Sequence, residues 1–170
     1  MLTSKIETAL NKQIRIEAES SQIYLSMAVW CESKGYEGMA AFMYEHTDEE
    51  RMHMLKMIKY VNERGGKAVI TDLSAPATEF GTPKKMFEEV LQHEIFVSQS
   101  INDLVGLTFE EKDFATHNFL QWYVAEQIEE EGLFRGVLDK INLIDDKQNG
   151  FYMFDKDIKT LLETENQSEQ

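Results

Sequence analysis

The chain carries a single cysteine, Cys31. One thiol closes no internal disulfide and builds no four-cysteine zinc or iron–sulfur site. Only two prolines occur, Pro76 and Pro83, so long helices are allowed on either side of them. Basic residues are scarce: 17 Lys and Arg stand against 31 Asp and Glu, a net charge of −14. Nucleic acid needs a basic patch, so no nucleic-acid partner is expected. The acidic balance suits cation binding or plain solubility. No apolar run is long enough to span a membrane, and no membrane partner is expected. The opening MLTSKIETAL lacks a basic region followed by an apolar run, so no signal peptide is expected. A reducing, cytoplasmic setting follows as the default. What is present is 42% apolar residues in a chain of 170, the size of one domain with a proper core.

The apolar residues recur at helical spacing. Helix one reads from about Ser4, its expected N-cap, to Lys34, with Gly35 as the stop. Helix two runs from near Gly38 to the Gly65–Gly66 pair. Residues 65–82 form a long connection, able to return along the bundle and start helix three at the end where helix two began. Thr82 as N-cap and Pro83 at the first helical position open helix three, with Gly106 and Thr108 marking its end. Helix four reads from about Glu110 to Lys140, with Gly132 and Gly136 allowing a bend. After a polar break at Asp145–Gly150, a short apolar segment reads as a fifth helix, and the tail from residue 163 is polar. The expected architecture is all-α: one domain over 1–170, a four-helix bundle over about 4–141, and a fifth helix over about 153–163.

Each helix shows one apolar seam, and each seam is polar at its middle. Helix one carries Glu17 there, helix two Glu50 and His53, helix three Glu94, and helix four Gln127 and Glu130. A buried carboxylate is costly unless it is paired or holds a metal. Glu17 lies about 25 Å from the end of helix one, and Glu50 and His53 about 18–22 Å from the start of helix two, at 1.5 Å per residue. All six residues can therefore meet at one level. Glutamates with one imidazole suit two divalent ions bridged by carboxylate; iron or manganese fits that donor set, and zinc fits it too.

The segments YEHTDEERMHM, FLQWYVAEQIEEE and FYMFDKDIKTL, with these seams, resemble the non-haem bacterial ferritins over nearly the whole chain. The resemblance implies a ferritin-like bundle that stores iron and oxidises Fe(II) with O2 or peroxide. It implies a first iron held by Glu17, Glu50 and His53, with Gln127 nearby, and a second held by Glu50, Glu94 and Glu130. It further implies an extra iron site on Glu49, Glu126 and Glu129, sharing Glu130, and a tyrosine, Tyr24, beside the centre. A hollow shell of twenty-four subunits is implied as the partner assembly, with the fifth helix meeting its symmetry mates at a fourfold axis. Haem is not expected: Arg51 follows Glu50 where bacterioferritin has its haem-ligating Met. Mini-ferritins need a His in helix one, but the first histidine here is His46. Rubrerythrin needs Cys-x-x-Cys pairs. Where animal ferritins line a threefold channel with Cys, Asp and Glu, this chain has Thr116, His117 and Leu120.

Plainer readings stand beside these. Gln127 fits a hydrogen-bonding role to a ligand. Glu49, Glu126 and Glu129 fit a solvated acidic face almost as well. Tyr24 fits a core tyrosine donating to a carboxylate. Trp122 and Tyr123 read as packing, and His46 and His93 have no partner that the sequence names.

Overall fold

The computed structural model describes residues 1–144 and 150–158. Four long helices, α1 (Ser4–Ser33), α2 (Glu37–Glu63), α3 (Pro83–Glu110) and α4 (Phe114–Asn142), form the bundle, and residues 150–158 form a short helix, α5. No helix among the described residues is long and apolar enough to cross a membrane. The polar break at 145–149, Leu161, Leu162 and the tail lie outside the described residues.

Each helix is started by a specific donor–acceptor arrangement. Thr3, one residue earlier than the sequence suggested, caps α1 by accepting from Ile6 N. Thr82 accepts from Lys85 N ahead of Pro83. Asp113 accepts from Thr116 N and starts α4. The expected α3–α4 boundary near Gly106–Glu110 is therefore displaced. Gly106 does not end α3, because Thr108 beyond it is fully buried and donates to Val105 O. The turn falls at Lys112, with φ of 54°, and Arg64 clamps it through both oxygens of Asp113 at 3.1 Å. Nor do Gly132 and Gly136 interrupt α4, which is continuous to Asn142.

The seams read from the sequence are the buried faces. They pack into two apolar clusters, one around Met27, Met39, Phe87 and Phe134, the other around Leu10, Met57, Ile101 and Leu120. Each of these buried side chains contributes about 1.5–3 kcal/mol. Along every helix the polar positions fall between the two clusters, so the carboxylates share one level with a dry core on either side. The connection between α2 and α3 travels from the second cluster to the first along α1. Asn11 fixes its start through Lys67 O at 3.0 Å and Val69 N at 2.7 Å. Ser26 holds Ala77 O at 2.6 Å further on. Val69, Ile70 and Leu73 remain exposed.

Helix α5 is docked on its own subunit. Phe154 and Ile158 are buried in the first cluster, whereas Tyr152 and Met153 are exposed. Of the apolar face expected over Met153, Phe154, Ile158, Leu161 and Leu162, the described part is thus split between two directions. Tyr36 precedes α2 without a side-chain cap. Asp155 of α5 supplies it instead, accepting from Met39 N at 2.9 Å. This approach leaves no room at Gly38, where an added Cβ would stand 1.6 Å from the Asp155 backbone oxygen. Gly38→Ala should therefore displace α5 while the bundle stays helical, and Asp155→Ala should cost the cap alone, about 0.5–2 kcal/mol. Thermal unfolding with limited proteolysis of the C-terminal segment checks both. Equal protease resistance of wild type and Gly38→Ala would mean that the contact does not hold α5.

Candidate metal centre

Glu17 on α1 and Glu50 and His53 on α2 converge, each offering a ligand atom within 4.8 Å of the others, and all three are buried. Glu50 Oε2 is 3.8 Å from His53 Nδ1, too far for a hydrogen bond. Glu17 Oε2 and Glu50 Oε2 are buried, and the geometry gives them no hydrogen-bond partner among the described residues. Two such oxygens beside an imidazole fit a cation; a proton held between the Glu17 and Glu50 carboxyls otherwise offsets their burial. Burial and the neighbouring carboxylates Glu17, Glu94 and Glu130 hold the Glu50 carboxyl well above its ordinary range. Burial lifts Glu17 to about 7. Burial, then the Lys56 charge, lowers His53 to about 4, so its imidazole is neutral and its lone pair free to bind metal near pH 7.

Surrounding groups fix these side chains. Gln13, 1% exposed, donates to Glu17 Oε1 at 2.9 Å and accepts from Ser100 Oγ at 2.6 Å. One oxygen of Glu17 is thereby engaged, and the other is directed at the cluster. Tyr123 donates to the backbone oxygen of His53 at 2.8 Å, so it does more than pack. Trp122 meets the His53 ring edge-on at 5.2 Å, with Lys56 over its face at 3.0 Å.

Glu94 lies at the same level but is otherwise engaged. Tyr24 donates to its Oε1, and Gln127 Nε2 to its Oε2 at 2.9 Å. Gln127 thus takes the hydrogen-bonding role. Burial raises the Glu94 carboxyl, opposed by both donors, and burial with the Glu94 charge raises the Tyr24 phenol. Glu130 is half-buried and gathers with His46 and half-buried Glu49 in a second cluster within 4.8 Å. Glu126 is half-buried and Glu129 exposed; neither joins that cluster. His93, without a partner in the sequence, lies 2.8 Å from Ser20 Oγ. Gln13 and His46 are the positions that sequence reasoning passed over. Both sit on their seams one turn from a glutamate, and that spacing was the available signal.

Two consequences follow from the burial of Glu17. Its folded value is raised, so the folded apo state keeps a proton that the unfolded chain releases from about pH 4.5 upward. Its contribution is present below about pH 4.5 and is lost as pH rises through about 7, roughly 3 kcal/mol in all. Apo wild type should lose stability relative to Glu17→Gln across that window, which denaturant titrations at several pH values measure. Gln13→Leu, with the fold retained, should weaken cobalt(II) binding at this cluster by about 10–100-fold, as orienting partners do. Calorimetry showing wild-type affinity would remove Gln13 from that role.

The comparisons agree with this architecture. Residues 7–144 match the ferritin family, described as a ferritin-like domain. A Haemophilus influenzae protein named "Probable bacterial non-heme ferritin-like protein" is 45% identical over 161 residues, covering 95% of this chain and 98% of that one. The bacterial non-heme ferritin of Campylobacter jejuni is 42% identical, over 95% of this chain and 96% of its own. Among solved structures, an open-pore ferritin from Archaeoglobus fulgidus superposes with a TM-score of 0.91 at 40% identity, over 94% of this chain and 98% of that one. With this fold, and relatives matched nearly end to end, the chain belongs to the ferritin family and to its bacterial non-haem branch.

Proposed function

We propose that the chain is an iron-storage subunit with ferroxidase activity, which oxidises Fe(II) to Fe(III) at the buried centre and deposits ferric mineral inside a homo-oligomeric shell. The observation that carries this reading is the pair of buried carboxylate oxygens, Glu17 Oε2 and Glu50 Oε2, left without a hydrogen bond beside His53. Fe(II) is the substrate, and two ions per centre supply one electron each to O2 or peroxide. Glu17 and His53 bind the first ion, Glu50 bridges, and Glu94 and Glu130 bind the second. Glu94 exchanges its Gln127 or Tyr24 contact for the metal. Oxygen-rich anionic ligation favours Fe(III) over Fe(II), which drives the oxidation. Binding strengthens as pH rises through about 7, because Glu17 must release its proton to become a ligand. The Tyr24 hydroxyl stays protonated and holds Glu94 in place. The chain's −14 charge draws Fe(II) toward the protein. A cytoplasmic setting suits the buried thiol of Cys31.

Iron loading tests storage. Aerobic Fe(II) additions should reach far more iron per subunit than the centre alone holds; saturation at two ions without mineral would sink the storage reading. Substitutions test the centre. Glu50→Ala should lose the most activity because it serves both ions. His53→Ala should chiefly weaken the first ion and Glu130→Ala the second, as resolved by rapid-mixing absorbance. A Glu50→Ala variant oxidising Fe(II) at the wild-type rate would refute the assignment.

The shell reading, with twenty-four subunits, draws on α5. Its exposed Tyr152 and Met153 are the side chains that neighbouring copies would cover. Ending the chain after Asn149 should loosen or abolish the shell while leaving a helical bundle. Light scattering that finds a full-mass hollow particle would show that closure does not need α5.

A further inference from the structure

Gln127 Nε2 stands before three oxygens. It lies 2.9 Å from Glu94 Oε2, with looser contacts at 3.4 Å to the Glu94 backbone oxygen and to Ser98 Oγ. A backbone oxygen and an ionised carboxylate only accept, so the amide turns its NH2 to them; its own oxygen in that place would meet acceptors. Ser98 is the one of the three that could accept or donate. A hydroxyl has a single hydrogen, and Ser98 gives it to Glu131 Oε1 at 2.6 Å. What remains toward Gln127 is a lone pair. Glu131, half-buried, is held from its other side, because Arg135, one turn further along α4, donates to its Oε2. Arg135, Glu131, Ser98, Gln127 and Glu94 thus form one line of donors and acceptors that ends at the centre.

We propose that Ser98 and Glu131 are positioning residues, which fix the Gln127 amide with its NH2 toward Glu94. Without Glu131 the Ser98 hydroxyl is free to donate to the Gln127 oxygen, and the amide can then reverse. A reversed amide sets an oxygen against Glu94 Oε2, and Glu94 loses one of the two donors that orient it. The second ion, which would use Glu94, is then held less well. That consequence rests on the function proposed above; the orientation of the amide does not. Within the run Glu129–Glu130–Glu131 nothing local marks Glu131 out. Its partner Ser98 lies 33 residues away on α3, and only the packing of α3 on α4 brings the two together.

Neutron diffraction on deuterated, metal-free wild-type crystals reads the orientation directly. Deuterium should sit on the Gln127 atom that faces Glu94, and the Ser98 deuterium should point at Glu131. A Ser98 deuterium aimed at Gln127, or an amide oxygen facing Glu94, overturns the proposal. Cobalt(II) titrations on the intact assembly follow the consequence. Ser98→Ala alters no charge and should weaken the cobalt equivalent at Glu94 and Glu130 by about tenfold, as the loss of an orienting partner does. The equivalent at Glu17, Glu50 and His53 should stay unchanged, and Ser98→Thr, which keeps the hydroxyl, should restore the weakened one. Wild-type affinity in Ser98→Ala, equal weakening of both ions, or a Ser98→Thr variant no better than Ser98→Ala would overturn the positioning role. If Ser98→Ala fails to fold, the neutron map decides alone. Wild type with the expected deuterium positions that takes up a single cobalt ion would defeat the two-ion reading and leave the amide orientation standing.

Discussion

Carboxylates buried in the middle of the bundle, with no Lys or Arg paired to them among the described residues, set the terms for everything else. Glu17, Glu50 and Glu94 are at most 2% exposed. Ionised, they would each face a desolvation penalty of several kcal/mol. The chain copes by raising their proton affinities, so that protons sit where, on the proposed function, metal would bind. The two apolar clusters on either side supply the stability that this level withholds. A bundle with apolar residues at the same seam positions would be more stable as an apo protein. Retaining the carboxylates makes sense only for a function that needs them charged.

The second circle of residues decides how ready the site is. Gln13 ties one oxygen of Glu17 and leaves the other pointed inward. Tyr24 and Gln127 occupy both oxygens of Glu94. The two sides of the centre are therefore unequal before any ion arrives. The Glu17–Glu50–His53 side is gathered with open ligand atoms. The Glu94 side has to give up a hydrogen bond before it can bind. On the proposed function, that asymmetry would order the filling: the first ion would enter a nearly formed site, and its charge would help to draw Glu94 off its donors.

The seams were legible because their period is that of the helix, and a polar residue in the middle of an apolar stripe stands out in any listing of that stripe. Glu17, Glu50, His53, Glu94 and Gln127 all lie on buried faces for that reason. The α3–α4 turn was misplaced because Gly106 and Thr108 look like a stop locally. The helix continues because Thr108 is buried and donates to Val105 O, and the Arg64–Asp113 clamp, which joins residues some fifty apart in the chain, sits further on. The cap on α2 was invisible for the same reason, since Asp155 reaches Met39 across the fold. His46 was on the seam, but its tautomer is set by one backbone oxygen, which no sequence pattern displays.

Glu130 is where the competing demands of the bundle meet. It sits on α4, gathered with His46 and Glu49, and its charge raises the proton affinity of Glu50. A carboxylate has two oxygens, so Glu130 can face both sides of this level at once. The Phe134 ring, one turn on from Glu130, holds the His46 imidazole and so limits how far that cluster can relax. Any adjustment then falls on the Glu130 side chain, whose few single bonds can turn at a cost well below that of shifting a packed helix. In this bundle the backbone and the apolar clusters set the level of the chemistry, and the torsions of one glutamate set how charge is shared across it.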